Sequence, residues 1–234
     1  MKRSTRRRLD LAGQWDLAFD NEKVGHAAGW AAGAWPAVMS EVVQAPALWT
    51  VTHPDKTGIG YYRRTFEIPA DWRGQVARLC LGGVSYRLDA WLNGVYIGSH
   101  EGAYTPFSFD VSQAMRAGSQ NEVVLRVASL AKNEAVDGML LQQCPASKQS
   151  WYYIEAGLWG DVYLEALPPL WCEAVAIDPD LLGRRVSRWA CRRGIPALRA
   201  MRSMIFCIVF DVIGPCFPPM KKLSVVASVR TKVL

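Results

Sequence analysis

The chain has 234 residues, half of them hydrophobic and 11% aromatic, which is enough for one sizeable core. It contains no run of about 20 apolar residues, so we expect no membrane span and no membrane partner. Its formal charge of +6 is uneven: residues 1–183 hold 16 Lys and Arg against 20 Asp and Glu, whereas residues 184–234 hold 11 against 1. The body of the chain is mildly acidic, so we expect no nucleic acid as its partner.

The six cysteines show neither a Cys-x-x-Cys spacing nor a nearby pair of histidines. They are scattered along the sequence at Cys80, Cys144, Cys172, Cys191, Cys207 and Cys216. This pattern argues against a zinc site and against a disulfide framework. The basic start of the chain has no apolar stretch behind it, so no secretory signal is indicated. We therefore expect a reduced, cytoplasmic protein without a cofactor or a metal.

Short alternating patterns of apolar and polar residues, separated by turn residues, fill the first part of the chain. Trp15, Leu17 and Phe19 alternate within 11–20 and predict a strand, whereas the Gly- and Ala-rich stretch 24–36 predicts a loop. Further strands are predicted within 40–50, 58–69 and 75–84.

Residues 91–112, "WLNGVYIGSHEGAYTPFSFDVS", predict a β-hairpin. Asn93-Gly94 lies between two apolar runs, and Asn and Gly tolerate the positive φ angles of a type I′ turn best. In the strand before the turn, the alternation assigns Tyr86 to the same face as Leu88, Ala90 and Leu92.

The strand that follows this turn is predicted to be short and to end at Gly98. The alternation of Phe107, Phe109 and Val111 predicts a third strand, so we expect a three-stranded meander.

The remaining strand patterns lie at 121–130 and 160–167, and a single helical turn is predicted at 111–118. No long amphipathic helix and no internal repeat is evident. Strand patterns that recur about every 10–20 residues, with turns between them, indicate an all-β protein of the β-sandwich class.

The composition and pattern of the sequence change after about residue 183. Residues 184–234 carry Arg clusters and a Pro-Pro pair, without alternation until 223–234. Two explanations stay open, namely a change of reading frame near 184–188 and a genuine basic tail for anionic partners. We expect this tail to be poorly ordered, with at most a little helix around 196–213.

Four motifs in a fixed order resemble the N-terminal sugar-binding domain of glycoside hydrolase family 2, which includes β-galactosidases, β-glucuronidases and β-mannosidases. They are "GYYRRTFEIPADW", "VSYRLDAWLNGVYIGSHEGAYTPFSFDVS", "NEVVLRV" and "SKQSWYYIEAGLWGDVYLEAL". The resemblance implies a jelly-roll, galactose-binding-like β-sandwich over 11–167, after a basic extension at 1–10. It also implies that 168–183 is the linker and first strand of an immunoglobulin-like domain, ahead of the atypical tail at 184–234.

In this family the chemistry belongs to a (β/α)₈ barrel, which follows the immunoglobulin-like domain and supplies two catalytic Glu residues. A retaining mechanism needs two carboxyl groups about 5–5.5 Å apart, and a barrel needs about 250 residues. The chain ends before such a barrel, and none of its acidic residues matches the catalytic pair. We therefore predict no catalytic residue and no glycoside hydrolysis by this chain alone.

The resemblance also points to sugar-contacting residues, because relatives send the loop that contains "SKQSWYYIEAGLWG" toward the active site. Trp151 and Tyr152 fall near a position that is often an acid in relatives, and Lys148 and Gln149 could add hydrogen-bond donors. An indole stacks on the apolar face of a pyranose, and a phenol hydrogen-bonds a hydroxyl group. The alternative is that Trp151 and Tyr153 pack inside the sandwich while Gly157 makes a turn.

Three functions remain open. The first is a non-catalytic fragment of a glycosidase that binds a glycoside or oligosaccharide weakly and packs on the missing immunoglobulin-like and barrel domains. The second is a free-standing carbohydrate-binding module, and the third is a binder of anionic partners through the basic tail. An apolar face without its neighbours also predicts self-association. The pair His100-Glu101 is interpreted as part of a surface loop, since no nucleophile accompanies it.

Overall fold

The computed structural model describes residues 7–131, 134–141, 155–167, 170–179 and 185–193. The chain divides into two compact units, Met1–Leu167 and Pro168–Leu234. In the first unit the strands are β1 (Arg7–Asp10), β2 (Gly13–Phe19), β3 (Ser40–Ala45), β4 (Ala47–Leu48), β5 (Ile59–Ile68), β6 (Val76–Leu81), β7 (Val84–Ser85), β8 (Arg87–Leu92), β9 (Val95–Glu101), β10 (Phe107–Asp110), β11 (Ser119–Ala128), β12 (Gly157–Leu158) and β13 (Val162–Leu167).

Helical structure in the described residues is limited to single turns. One α-helical turn, α1, covers Trp49–Thr52, and short 3₁₀ turns cover Trp30–Ala32, Ala37–Met39 and Ala70–Trp72. A turn at Ser112–Met115 is closed by hydrogen bonds from the Ala114 and Met115 N–H groups to the Val111 carbonyl, which confirms the predicted helical turn.

Three antiparallel sheets build the first unit. A four-stranded sheet has the order β1-β13-β6-β10, a six-stranded sheet has the order β3-β2-β5-β11-β8-β9, and a small sheet has the order β4-β12-β7. Apolar side chains of the two large sheets meet in one core, which holds Trp15 and Tyr62 from one sheet and Leu79 and Leu164 from the other. The unit is therefore a two-layer β-sandwich, as the sequence predicted.

The core explains why the alternating patterns form strands. Trp15 and Leu17 on β2, and Leu88, Ala90 and Leu92 on β8, are buried at every second position. Burying a large apolar side chain contributes about 1.5–3 kcal/mol, so a slip of one residue in register would expose the whole set.

The Asn93-Gly94 turn is confirmed. Asn93 has φ +53° and Gly94 has φ +78°, and the two residues join β8 to β9. The Asn93 side chain donates hydrogen bonds to the Ala114 carbonyl and to Asn121 Oδ1, both at 2.8 Å. It also accepts one from the Glu122 N–H at 3.0 Å, so this side chain ties the turn to the neighbouring strand.

The predicted end of the return strand at Gly98 is wrong, because β9 continues to Glu101. Gly98 has φ +145°, and a Cβ there would lie 2.7 Å from the Phe109 ring. The glycine therefore marks a close approach between two layers and does not end the strand.

The predicted meander is also wrong. The strand β10 pairs with β6 in the four-stranded sheet, whereas β8 and β9 belong to the six-stranded sheet. The segment between Glu101 and Phe107 therefore crosses from one layer to the other, which local alternation does not reveal.

The six-stranded sheet has a second buried cluster on its outer face. It includes Tyr61, Trp91 and Val124 from the sheet, covered by Trp30 from the predicted loop 24–36. Tyr86 also belongs to this cluster, so its predicted position beside Leu88 is wrong. It lies between the end of β7 and the start of β8, and the alternation does not continue through that break.

The second unit contains an antiparallel pair of strands, β14 (Leu170–Pro179) and β15 (Arg185–Arg193). The register runs from Leu170 opposite Arg193 to Pro179 opposite Arg185, with an irregularity between Cys172 and Ala174. Pattern analysis of the basic tail missed β15.

Candidate functional site

The four predicted sugar-contacting residues, Lys148, Gln149, Trp151 and Tyr152, lie outside the described residues. The structure does describe the residues that flank segment 142–154, Leu141 and Glu155. The surroundings of these two points, which we call the loop base, form the candidate functional site.

A two-residue turn lies on the outgoing side of the loop base. Val136 and Met139 exchange backbone hydrogen bonds of 3.1 and 2.9 Å around Asp137 and Gly138, which both have positive φ. Val136 and Met139 are buried in the second cluster, against the outer face of the six-stranded sheet. The segment that leads into 142–154 is thus held by apolar packing.

An ion pair also fixes this turn. Arg126 on β11 donates to Asp137 Oδ2 from Nη1 at 2.6 Å and to Asp137 Oδ1 from Nη2 at 2.7 Å. Its Nη1 lies 3.2 Å from Asp89 Oδ2 on β8. The hydrogen bonds from Arg126 hold the pKa of Asp137 below its ordinary value, although partial burial opposes this shift. A bidentate pair of this kind fixes orientation as well as distance.

The small sheet forms the returning side of the loop base. Strand β12 pairs with Leu48 and Ala47 of β4 on one side and with β7 on the other. The Trp49 N–H donates to the Ala156 carbonyl at 2.8 Å, and the Ser85 hydroxyl donates to the Glu155 carbonyl. The chain is therefore anchored from its first described residue after the segment.

Close backbone contacts continue this anchor. The N–H groups of Trp159 and Gly160 donate to the Gly83 carbonyl at 3.2 and 3.0 Å. A Cβ on Gly160 would overlap the backbone of Gly82 and Gly83, so only glycine allows this approach. The Trp159 indole covers Gly83 and donates from Nε1 to the Ala103 carbonyl at 3.0 Å.

Two exposed side chains lie at the returning side of the loop base. Tyr104 is 55% exposed and its ring lies 6.2 Å from the Trp159 ring. Glu155 is also exposed, and burial followed by the charge of Glu155 raises the pKa of Tyr104. An aromatic face beside a carboxylate can stack on a sugar ring and accept hydrogen bonds from hydroxyl groups.

The pair His100-Glu101 lies on strand β9 and not in the predicted loop. The His100 ring stacks on Phe107 with centroids 3.8 Å apart, and its Nε2 lies 3.4 Å from the Thr105 hydroxyl. Burial lowers the pKa of His100, so the stacked imidazole is mostly neutral at pH 7. These contacts give His100 a packing role.

Sequence reasoning missed Arg126 and Asp137. An Asp137-Gly138 pair is a turn signal of the same kind as Asn93-Gly94, and it was available in the sequence. The pairing of Arg126 with Asp137 cannot be predicted from the sequence, because it depends on which face of β11 the turn covers.

Among the residues that the structure describes, no three His, Cys, Asp or Glu side chains lie close enough to hold a metal ion. Within the same residues, no helix is both long enough and apolar enough to cross a membrane.

The two large antiparallel sheets define a jelly-roll β-sandwich, and the described residues on either side of 142–154 are held by the contacts of the loop base. The family model for glycosyl hydrolases family 2, sugar binding domain, matches residues 8–168. The chain belongs to this family, which confirms the resemblance stated from the sequence motifs.

Individual relatives agree with the family. A β-glucuronidase of Paenibacillus borealis is 29% identical over 131 residues, which are 53% of this chain and 21% of that enzyme. A β-galactosidase of Arthrobacter sp. (strain B7) is 35% identical over 118 residues, 49% of this chain and 10% of that enzyme. The chain thus spans about a fifth of the length of the first relative and a tenth of the second.

A solved structure shows the same fold. The crystal structure of Ruminococcus gnavus β-glucuronidase superposes with a TM-score of 0.67 and 24% sequence identity. The superposition covers 82% of this chain and 34% of that enzyme.

Proposed function

We propose that this chain is the sugar-binding, non-catalytic part of a glycoside hydrolase, and that segment 142–154 contacts the glycoside. The observation that carries the proposal is the loop base, where both ends of this segment are held by independent contacts. The Arg126–Asp137 pair holds one end and the small sheet holds the other. A segment held at both ends loses less conformational entropy when it binds a ligand.

The proposed contacts divide by chemistry. Trp151 stacks on the apolar face of a pyranose ring, and the Tyr152 hydroxyl binds a sugar hydroxyl. Lys148 and Gln149 donate further hydrogen bonds. Glu155 and Tyr104, at the loop base, face the same ligand from the described part of the site.

The proposal assigns hydrolysis to domains other than the sandwich. The immunoglobulin-like and barrel domains of the intact enzyme are the proposed partners of the sandwich, and the barrel supplies the two carboxyl groups of the reaction. The predicted start of the sandwich at residue 11 is too late, because β1 (Arg7–Asp10) pairs with β13. We propose that the next domain begins at 168–183, and β15 then assigns the first residues of the predicted tail to a strand paired with β14. The scattered cysteines support a cytoplasmic location for this protein.

Nuclear magnetic resonance titration with methyl β-glycosides of glucuronic acid, galactose and mannose tests the proposal. We expect millimolar binding, with shifts at Glu155 and Tyr104 and loss of binding in Trp151→Ala. Tyr96→Ala removes an exposed aromatic side chain from strand β9, outside the proposed site, and is the control. Absence of shifts for every sugar, or equal losses in the two variants, would contradict the sugar contact.

Hydrolysis is tested separately with nitrophenyl glycosides. We expect no release of nitrophenol above a buffer blank. Turnover that survives repeated purification would contradict the non-catalytic assignment without affecting the binding result.

A free-standing carbohydrate-binding module is the second candidate, and the exposed Tyr104 ring beside Trp159 supports it. Calorimetry with oligosaccharides of increasing length distinguishes the two functions. A free-standing module gains affinity with each added sugar unit, whereas a domain that contributes one segment to a composite site does not.

Binding of anionic partners through residues 184–234 is the third candidate, supported by their 11 basic residues against 1 acidic residue. It predicts DNA binding that weakens with salt and disappears when this segment is deleted. Unchanged DNA affinity after the deletion would exclude the tail as the binding element.

A further inference from the structure

Strand β3 is an edge of the six-stranded sheet. Among the described strands it pairs with β2 alone, from Ala45 opposite Gly13 to Ser40 opposite Ala18. The backbone N–H and C=O groups on its other side therefore face away from the sheet. Such an edge is a template for pairing with another strand.

Several exposed side chains at this edge are apolar, beside the exposed polar Glu41 and Gln44. Val38 and Met39, in the 3₁₀ turn before β3, are 101% and 62% exposed, and Val42 within the strand is 65% exposed. Natural edge strands are usually protected by Lys or Pro within the strand or by a bulge. The register of β3 on β2 is regular over all six pairs, so no bulge turns this edge away.

The strand carries one charged residue, Glu41. The Glu41 carboxylate lies 2.9 Å from His53 Nε2. The remaining residues of the strand, Ser40, Val42, Val43, Gln44 and Ala45, are uncharged. The edge therefore has little electrostatic repulsion against a second copy of itself.

We propose that β3 is an interface between two copies of this chain, which pair antiparallel and extend the six-stranded sheet into one continuous sheet. The proposal does not depend on the sugar-binding function.

The strand is self-complementary in this arrangement. In an antiparallel pair, side chains that face each other lie on the same face of the sheet. A twofold axis perpendicular to the sheet therefore passes midway between the two copies of one residue. With the axis at Val42, that residue meets its own copy and Ser40 faces Gln44. Glu41 then lies opposite Val43, so no two like charges are directly opposed.

The size of the interface limits its strength. A strand of six residues and a few flanking apolar side chains bury far less than the roughly 1,200 Å² of a stable specific interface. The dimer is therefore expected to dissociate on dilution.

Sedimentation velocity of the full chain over a concentration series tests the proposal. We expect the mean mass to rise reversibly toward two chains at the highest concentrations. Val42→Lys places two ammonium groups opposite each other at the twofold axis and should weaken association by about tenfold or more. Val95→Lys adds the same charge to the other edge strand, β9, at a 53% exposed valine and should leave association unchanged.

Several outcomes would overturn the proposal. These are a monomer at every concentration, an unchanged dimer in Val42→Lys, and an equal loss of association in Val95→Lys. A dimer that disappears when residues 184–234 are deleted would assign association to the basic segment. A dimer that forms only after this deletion would show that the chain's own segment covers the edge. Thermal unfolding that is unchanged in both variants verifies that each one is folded.

Discussion

The guanidinium group of Arg126 spans both carboxylate oxygens of Asp137, with nitrogen–oxygen distances of 2.6 and 2.7 Å. This pair joins a core strand to the turn that leads into segment 142–154. Asp89, on the neighbouring strand β8, lies with its Oδ2 3.2 Å from the same Arg126 Nη1. The position of the outgoing chain is therefore determined by two strands of the sandwich.

Replacing Asp137 with Asn should destabilise the domain by about 2 kcal/mol at pH 7, because Arg126 loses a charged partner in a mostly buried setting. The pKa of Asp137 is lowered in the folded state from an ordinary value of 3.8. Its contribution is complete above that value and is lost as the pH falls through the lowered folded pKa. The free energy of unfolding, measured with denaturant at several pH values, should therefore fall less steeply toward acid pH in Asp137→Asn than in the wild type.

Asp161→Asn is the control for this prediction. Asp161 pairs with Arg8 at 3.2 Å, but both side chains are largely exposed. The expected loss is below about 0.5 kcal/mol. Equal losses in the two variants would contradict the special role of the Arg126–Asp137 pair.

Gly160→Ala should destabilise the loop base strongly. The added methyl group would overlap the backbone of Gly82 and Gly83, which cannot rotate away. We expect the free energy of unfolding, measured by chemical denaturation, to fall by about 3 kcal/mol. Gly138→Ala meets open space and carries only the strain of its positive φ, so its loss should be about 1 kcal/mol. A reversed order would contradict the tight backbone contact.

Asn121→Ala should lower the free energy of unfolding by about 3 kcal/mol, because several polar groups lose their hydrogen-bond partner in a buried setting. The Asn121 amide donates to the Arg116 and Ser119 carbonyls and accepts from Asn93 and the Arg116 N–H. Gln120→Ala, at the exposed neighbouring position, should change stability by less than about 0.5 kcal/mol. Thermal unfolding of the two variants compares them, and similar melting temperatures would contradict the network.

His100→Gln should reduce the loss of stability in mild acid. Burial lowers the folded pKa of His100 from an ordinary value of 6.5, so the unfolded chain takes up its proton first. The wild type therefore loses stability as the pH falls below about 6.5, until the folded imidazole is also protonated. Unfolding measured between about pH 5 and pH 8 checks this, and identical pH slopes for both proteins would contradict it.

Local patterns in the sequence located most strands of the sandwich, but not the sheet to which each strand belongs. Alternation located β2, β5 and β11, and the Asn93-Gly94 pair predicted its turn, because these features depend on residues close in sequence. Alternation did not reveal that β10 joins the other sheet. That choice depends on long-range packing, including the Phe109 ring against Gly98.

The candidate site was predictable in one respect only. The family motif located segment 142–154, whereas its supports come from distant parts of the chain. Arg126 and Asp137 are 11 residues apart, and Ser85 and Glu155 are 70 residues apart. A pattern of neighbouring residues contains no information about such pairs.

The two-sided anchoring of segment 142–154 makes it a natural place for grafting. Insertions or randomised sequences between Leu141 and Glu155 begin and end on fixed backbone, so they need not disturb the pairing of any strand. A library of such inserts, displayed on this sandwich, would sample new recognition surfaces on an unchanged scaffold.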